Sequence, residues 1–160
     1  MRLTVRASAM AAAFWAAAIA AVAAARYQPA MIALDKAKHG VVWDTKGAIM
    51  ADVTCDGKPD LVIVGQKGGM GVVAIVPGLD RPGPPIIGEF PTGRADLQDG
   101  FCEARPKVYL EPRDCRWEDG VIPGCKVVRG CKAFRVGGAD CDAFHFYWDT
   151  TSKRLKYDRL

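Results

Sequence analysis

The residues best suited to do chemistry stand together in the run Asp52-Val53-Thr54-Cys55-Asp56-Gly57-Lys58-Pro59-Asp60. Asp52, Thr54, Asp56 and Asp60 occupy positions 1, 3, 5 and 9 of that run. Alternate residues of a tight loop point inward, so these oxygens converge on one centre, and the Lys58 carbonyl at position 7 adds another. A hard cation such as calcium takes roughly six to eight oxygens in this kind of cage. Gly57 supplies the positive φ that turns the chain. The same residue types have a second use, because Asp side chains in Asp-Gly turns cap their own backbone amides without any metal.

An EF-hand is excluded, since it ends on a bidentate Glu at about position 12 and lies between helices. Here Ile63 stands at that position, Pro59 interrupts the loop, and a β-branched run follows. The segment Ala51–Val64 instead resembles the loop-plus-strand core of FG-GAP/VCBS repeats, the units of integrin-type propellers. That resemblance spans residues 41–77 and implies calcium held by the side chains of Asp52, Thr54, Asp56 and Asp60 and the Lys58 carbonyl. Thr54 stands where the family prefers Asp or Asn, which implies weaker binding, and Cys55 is an addition to the usual repeat. The loop occurs once, and a propeller of about four or more four-stranded blades does not fit in this length. The resemblance therefore implies the loop and its strand, not a propeller.

Residues 1–25 read as a secretory signal peptide: Arg2 and Arg6, then an uncharged alanine-rich stretch closing on Ala23-Ala24-Ala25. Its removal would leave ~135 residues, enough for one modest core. The expected location is the periplasm or the extracellular space, with no stable membrane insertion after cleavage. Cys55, Cys102, Cys115, Cys125, Cys131 and Cys141 then lie in an oxidising compartment, and none shows the paired spacing of a zinc site. Disulfides are expected, with all of the roughly 15 connectivities open. Cys55, at an even loop position, should turn away from the loop centre toward such a partner.

The elements that must position these groups are mostly strands. Apolar or alternating runs at Leu61–Val64, Val72–Val76, Ile86–Phe90, Lys107–Glu111, Cys131–Val136, Ala143–Trp148 and Arg154–Leu160 are separated by Gly/Pro turn signals. The first two form a hairpin across the Gly-rich stretch Gly65–Gly71, and Leu79–Pro85 is a loop. Only Pro29–Lys38 has helical spacing, with Pro29 suited to a first turn. The predicted fold is mainly β: two packed antiparallel sheets, stapled by disulfides, with a short N-terminal helix. Residues 26–160 are expected to form one secreted domain, with the FG-GAP-like half at 41–90 and the cysteine-rich half at 102–160.

Beyond residue 25 the sequence holds one serine, Ser152, in a polar turn, and the chain has no asparagine. These facts exclude a serine nucleophile at a strand-to-helix elbow and any N-glycosylation acceptor. His39 has no visible partner set. Alternation places His145 and Tyr147 on one face of their strand, and Phe144, Phe146 and Trp148 on the other. Spacing selects no catalytic pair among Glu89, Glu103, Glu111 and Glu118, and no catalytic residue is assigned. Basic residues of the C-terminal half interleave with acids, so a nucleic-acid footprint is not expected. The expected function is an exported, calcium-binding, non-enzymatic interaction module for a protein or envelope component. The alternatives are a small exported hydrolase of cell-wall sugar and a secreted enzyme inhibitor.

Overall fold

The structure is a computed structural model and describes residues 27–93, 100–117, 120–138 and 142–159. Residues 1–25, expected to be a signal peptide, and Glu118 and Cys141 lie outside them. Two antiparallel sheets dominate. The first has the order β1-β3-β4-β5, with β2 also on β3; the second has the order β11-β10-β9-β6. Their strands are β1 (Val42–Trp43), β2 (Ile49–Ala51), β3 (Asp60–Lys67), β4 (Met70–Val76), β5 (Ile86–Pro91), β6 (Lys107–Pro112), β9 (Lys132–Gly137), β10 (Phe144–Asp149) and β11 (Arg154–Arg159). A small hairpin of β7 (Arg116–Trp117) and β8 (Gly120–Val121) lies between β6 and β9.

The seven predicted strands and the predicted helix are all present, the helix spanning residues 27–37. The expected loop Leu79–Pro85 contains no strand. Among the described residues, no helix is long and apolar enough to cross a membrane.

Burial explains why β3 and β4 read as unbroken apolar runs. Val62, Val64, Val73 and Ile75 face the second sheet, where they meet Val108, Phe134, Val136, Phe144 and Phe146. Leu61, Ile63, Ala74 and Val76 face the other way and are covered by Ala30 and Leu34 of the helix. A strand covered on both faces has no reason to alternate. The molecule is thus three layers: helix, five-stranded sheet, four-stranded sheet. The inter-sheet core is aromatic, with Phe134 stacked on Phe146 at 5.0 Å and Phe90 edge-on to Phe146 at 5.8 Å.

Among the described residues no helix covers the outer face of the second sheet, and its strands alternate. Val108, Phe134, Val136, Phe144 and Phe146 point into the core. Tyr109 and Glu111 on β6, Arg135 on β9 and His145 and Tyr147 on β10 point out, as alternation requires.

Two disulfides join the described residues. Cys55–Cys131 ties the aspartate loop of the first sheet to the start of β9 across a sequence separation of 76. Cys115–Cys125 closes the base of the β7–β8 excursion across a separation of 10. Cys102 is also disulfide-bonded.

Candidate functional site

Two places bring chemically competent side chains together: the aspartate loop and the outer face of the second sheet. In the loop, Gly57 has φ +82°, the conformation its sequence position requires. Asp60 is fully buried at the start of β3. Its Oδ2 accepts the amides of Val53 and Thr54, both at 2.9 Å, and its Oδ1 accepts the amide of Gly78 at 3.1 Å. Burial pushes this carboxyl up from its ordinary value, and the amides of Thr54, Val53 and Gly78 pull against that rise.

Asp52 accepts the amides of Asp56 and Gly57, at 3.2 and 3.0 Å, and Asp56 accepts the amide of Lys58 at 2.9 Å. The predicted carboxylates are therefore the ones that organise the loop, each holding backbone amides. Asp52 and Asp56 keep further lone pairs, and the Thr54 hydroxyl is buried beside the Asp60 carboxylate, which it helps to hold charged. Among the described residues, no three His, Cys, Asp or Glu side chains gather as a metal-holding group. Cys55 turns to Cys131, as its even position implies. The Lys132 amide donates to the Asp52 carbonyl at 2.8 Å, so covalent and hydrogen-bonded ties fix the same junction.

The outer face of the second sheet is a ladder of polar and aromatic side chains. Register sets Tyr109 opposite Arg135, Arg135 opposite His145, and His145 opposite Asp158. His145 Nδ1 lies 2.8 Å from Glu111 Oε2. Arg135 Nε lies 3.4 Å from the other Glu111 oxygen, and its guanidinium sits 4.7 Å above the Tyr109 ring. One carboxylate thus holds an imidazole and a guanidinium in fixed positions on an open sheet.

The β7–β8 excursion folds back over one end of this face. Cys115, Ile122 and Cys125 bury themselves together with Tyr147 packed against them. Arg113, 6% exposed, anchors the excursion: its Nε donates to the Lys126 carbonyl at 2.7 Å and its Nη2 to the Trp148 carbonyl. Burial lowers the guanidinium's pKa, while Asp149, Tyr147 and Asp52 hold it charged. Gly124 has φ +77°, and a Cβ there would lie 2.5 Å from Asp149 Oδ2. Only glycine lets the excursion seat so closely on the β10–β11 turn. Between the excursion and the sheet lies an open cleft of about 240 Å³, lined in part by Glu111, Asp114, Arg116, Ile122, His145 and Tyr147.

Asp149 organises that turn. The Ser152 amide donates to its Oδ1 at 3.0 Å, the Thr151 amide at 2.8 Å, and Lys156 Nζ lies 3.0 Å from Oδ2. The hydrogen bonds from Ser152, then from Lys156 and Thr151, hold its carboxyl far below the usual range. A depressed carboxyl stabilises the fold above its unfolded value near 3.8 and loses that contribution as pH falls toward its folded value. The stability gap between wild type and Asp149→Asn, measured by urea unfolding, should therefore be widest near pH 6 and narrow steadily below about pH 4.

The other predicted candidates are dispersed. Glu89 pairs with Lys38 on the helix-covered side, and so stands on the opposite outer face from Glu111. His39 is exposed, and its carbonyl accepts Lys67 Nζ at 2.6 Å. Glu103 lies against Gly138, away from both. Sequence reasoning missed the Glu111–His145–Arg135 group. Its one signal was the alternation that put His145 and Tyr147 on a common face. Comparison with family models, curated proteins and solved structures finds no match to this chain.

Proposed function

We propose that this chain is an exported, disulfide-stapled binding module that engages a component of the cell envelope through the outer face of its second sheet. One observation carries the reading: the Tyr109–Arg135–Glu111–His145 ladder is joined by an ion pair, a hydrogen bond and a ring contact on the open sheet beside a covalently closed excursion. Tyrosine and arginine are the side chains that dominate binding surfaces, and fixing them before contact lowers the ordering cost of association. The test is co-sedimentation of the oxidised chain with isolated envelope of the producing cell. Wild type should be retained, and Tyr109→Ala with Arg135→Ala should lose most of that retention. No retention, or retention indifferent to these changes, overturns the reading.

Calcium in the aspartate loop is a second proposal, favoured by the lone pairs that Asp52 and Asp56 keep in the loop they organise. Asp52, Asp56, Thr54 and the Lys58 carbonyl would hold the ion from the loop side, with Asp60 beneath. A ligand that binds only the folded chain stabilises it by about 2.7 kcal/mol at a hundredfold excess over Kd. Millimolar calcium should then raise the melting temperature by a few degrees. Asp56→Ala should abolish the response, and Thr54→Asp should strengthen it. An unchanged melting temperature in both wild type and Thr54→Asp leaves the loop a turn closed by its own amides.

A further inference from the structure

We infer that the cleft between the β7–β8 excursion and the outer sheet face is a saccharide subsite, sized for a single pyranose ring of a longer glycan. This rests on the binding reading above and names the chemistry of its ligand. The cleft, about 240 Å³ and open on one side, is smaller than the roughly 300–1,000 Å³ that encloses a drug-sized molecule. It suits one ring whose neighbours continue into solvent.

Its polar lining is charge-compensated. The carboxylates of Glu111 and Asp114 stand in it beside the guanidinium groups of Arg113 and Arg116, and Glu111 also meets His145 Nδ1 at 2.8 Å. A site meant for a free anion would carry an excess of cations. Here the formal charges of the lining cancel, and unused hydrogen-bonding capacity remains. Glu111 keeps lone pairs, and His145 keeps its second ring nitrogen. Alternating donors and acceptors with little net field match a neutral ring bearing several hydroxyls.

The remaining wall is apolar: Ile122, Ala133 and the Cys115–Cys125 bridge. The Tyr147 ring closes it, packed against that bridge. Aliphatic and aromatic surface of this kind covers the C–H face of a pyranose. The Tyr147 hydroxyl donates to the Pro123 carbonyl at 3.5 Å, which leaves its oxygen to accept. The residues come from three strands and one stapled loop, so the cleft is present before any ligand arrives.

The test is an NMR titration of the oxidised chain with glucose, N-acetylglucosamine, the β-1,4-linked N-acetylglucosamine tetramer and, as an anion control, sulfate. At least one sugar should shift the signals of Glu111, Ala133, His145 and Tyr147 saturably in the millimolar range, with the tetramer tighter than the monomer. Ala133→Leu fills the cleft from the outer face of β9 and should weaken binding at least tenfold with the spectrum otherwise intact. Glu111→Gln keeps the shape, removes the charged acceptor and should weaken it severalfold. No saturable shift with any sugar at about 50 mM, saturation by sulfate alone, or binding unaffected by Ala133→Leu overturns the subsite. If the sugars fail while envelope retention still depends on Tyr109 and Arg135, the binding reading stands and the partner is a protein. If retention also fails, both fall.

Discussion

Replacing Cys55 and Cys131 together by alanine is expected to remove about 4 kcal/mol of stability, the largest loss from any single cross-link among the described residues. The bridge closes a loop with a separation of 76, and the entropy that a cross-link takes from the unfolded chain grows with the logarithm of loop length. Domains of this size hold about 5–15 kcal/mol in total, so the doubly substituted chain should be marginal. The same logic gives Cys115→Ala with Cys125→Ala a smaller cost, about 2.5 kcal/mol, because that loop has a separation of 10. Urea unfolding of the two double variants checks the order. The long-loop variant should lose more, with its midpoint lowered by about 2 M. Equal losses, or the reverse order, would show that local packing and not chain closure sets the value of these bridges.

The second large effect is expected at Asp60. Asp60→Ala leaves the amides of Val53, Thr54 and Gly78 without their acceptor in a place where the side chain is fully buried. Each orphaned donor costs about 1–3 kcal/mol. Water entering the space recovers part of that, so the net loss should be about 4 kcal/mol. Asp60→Asn keeps one oxygen but turns an NH2 group toward an amide, and should cost about half as much. Both are read by the same unfolding experiment at pH 7. A loss under about 1 kcal/mol for the alanine variant would mean that the three amides find other partners and that Asp60 does not hold the loop.

These effects bear on what the sequence makes legible. β3 and β4 were plain because the apolar runs Leu61–Val64 and Val72–Val76 have one cause, burial on both faces, and the helix that covers one face has its own spacing at Ala30 and Leu34. β1 and β2 were missed: Val42–Trp43 and Ile49–Ala51 are two and three residues long, too short for any period to show. The β7–β8 hairpin was missed for the same reason.

The aspartate loop was legible as a tight turn built on its own carboxylates, but not in their use. A cation cage and a set of amide caps need the same residues at the same spacing. They differ only in where each Oδ points, and here Asp60 points beneath the loop to Gly78. The Glu111–His145 contact joins residues 34 apart in sequence. It depends on the register of β6, β9 and β10, which no local window contains. Cysteine pairing was open for a similar reason, since the partner of Cys55 lies 76 residues away on the other sheet.

If the open face of the second sheet is the binding surface, amide hydrogen exchange in the presence of isolated envelope should register it. Tyr109, Glu111, Arg135, His145 and Tyr147, with the excursion around Cys115–Cys125, should gain protection, while residues 27–37 on the opposite side should not change. Protection centred on the helix, or no protection at concentrations where the chain co-sediments, would contradict the claim.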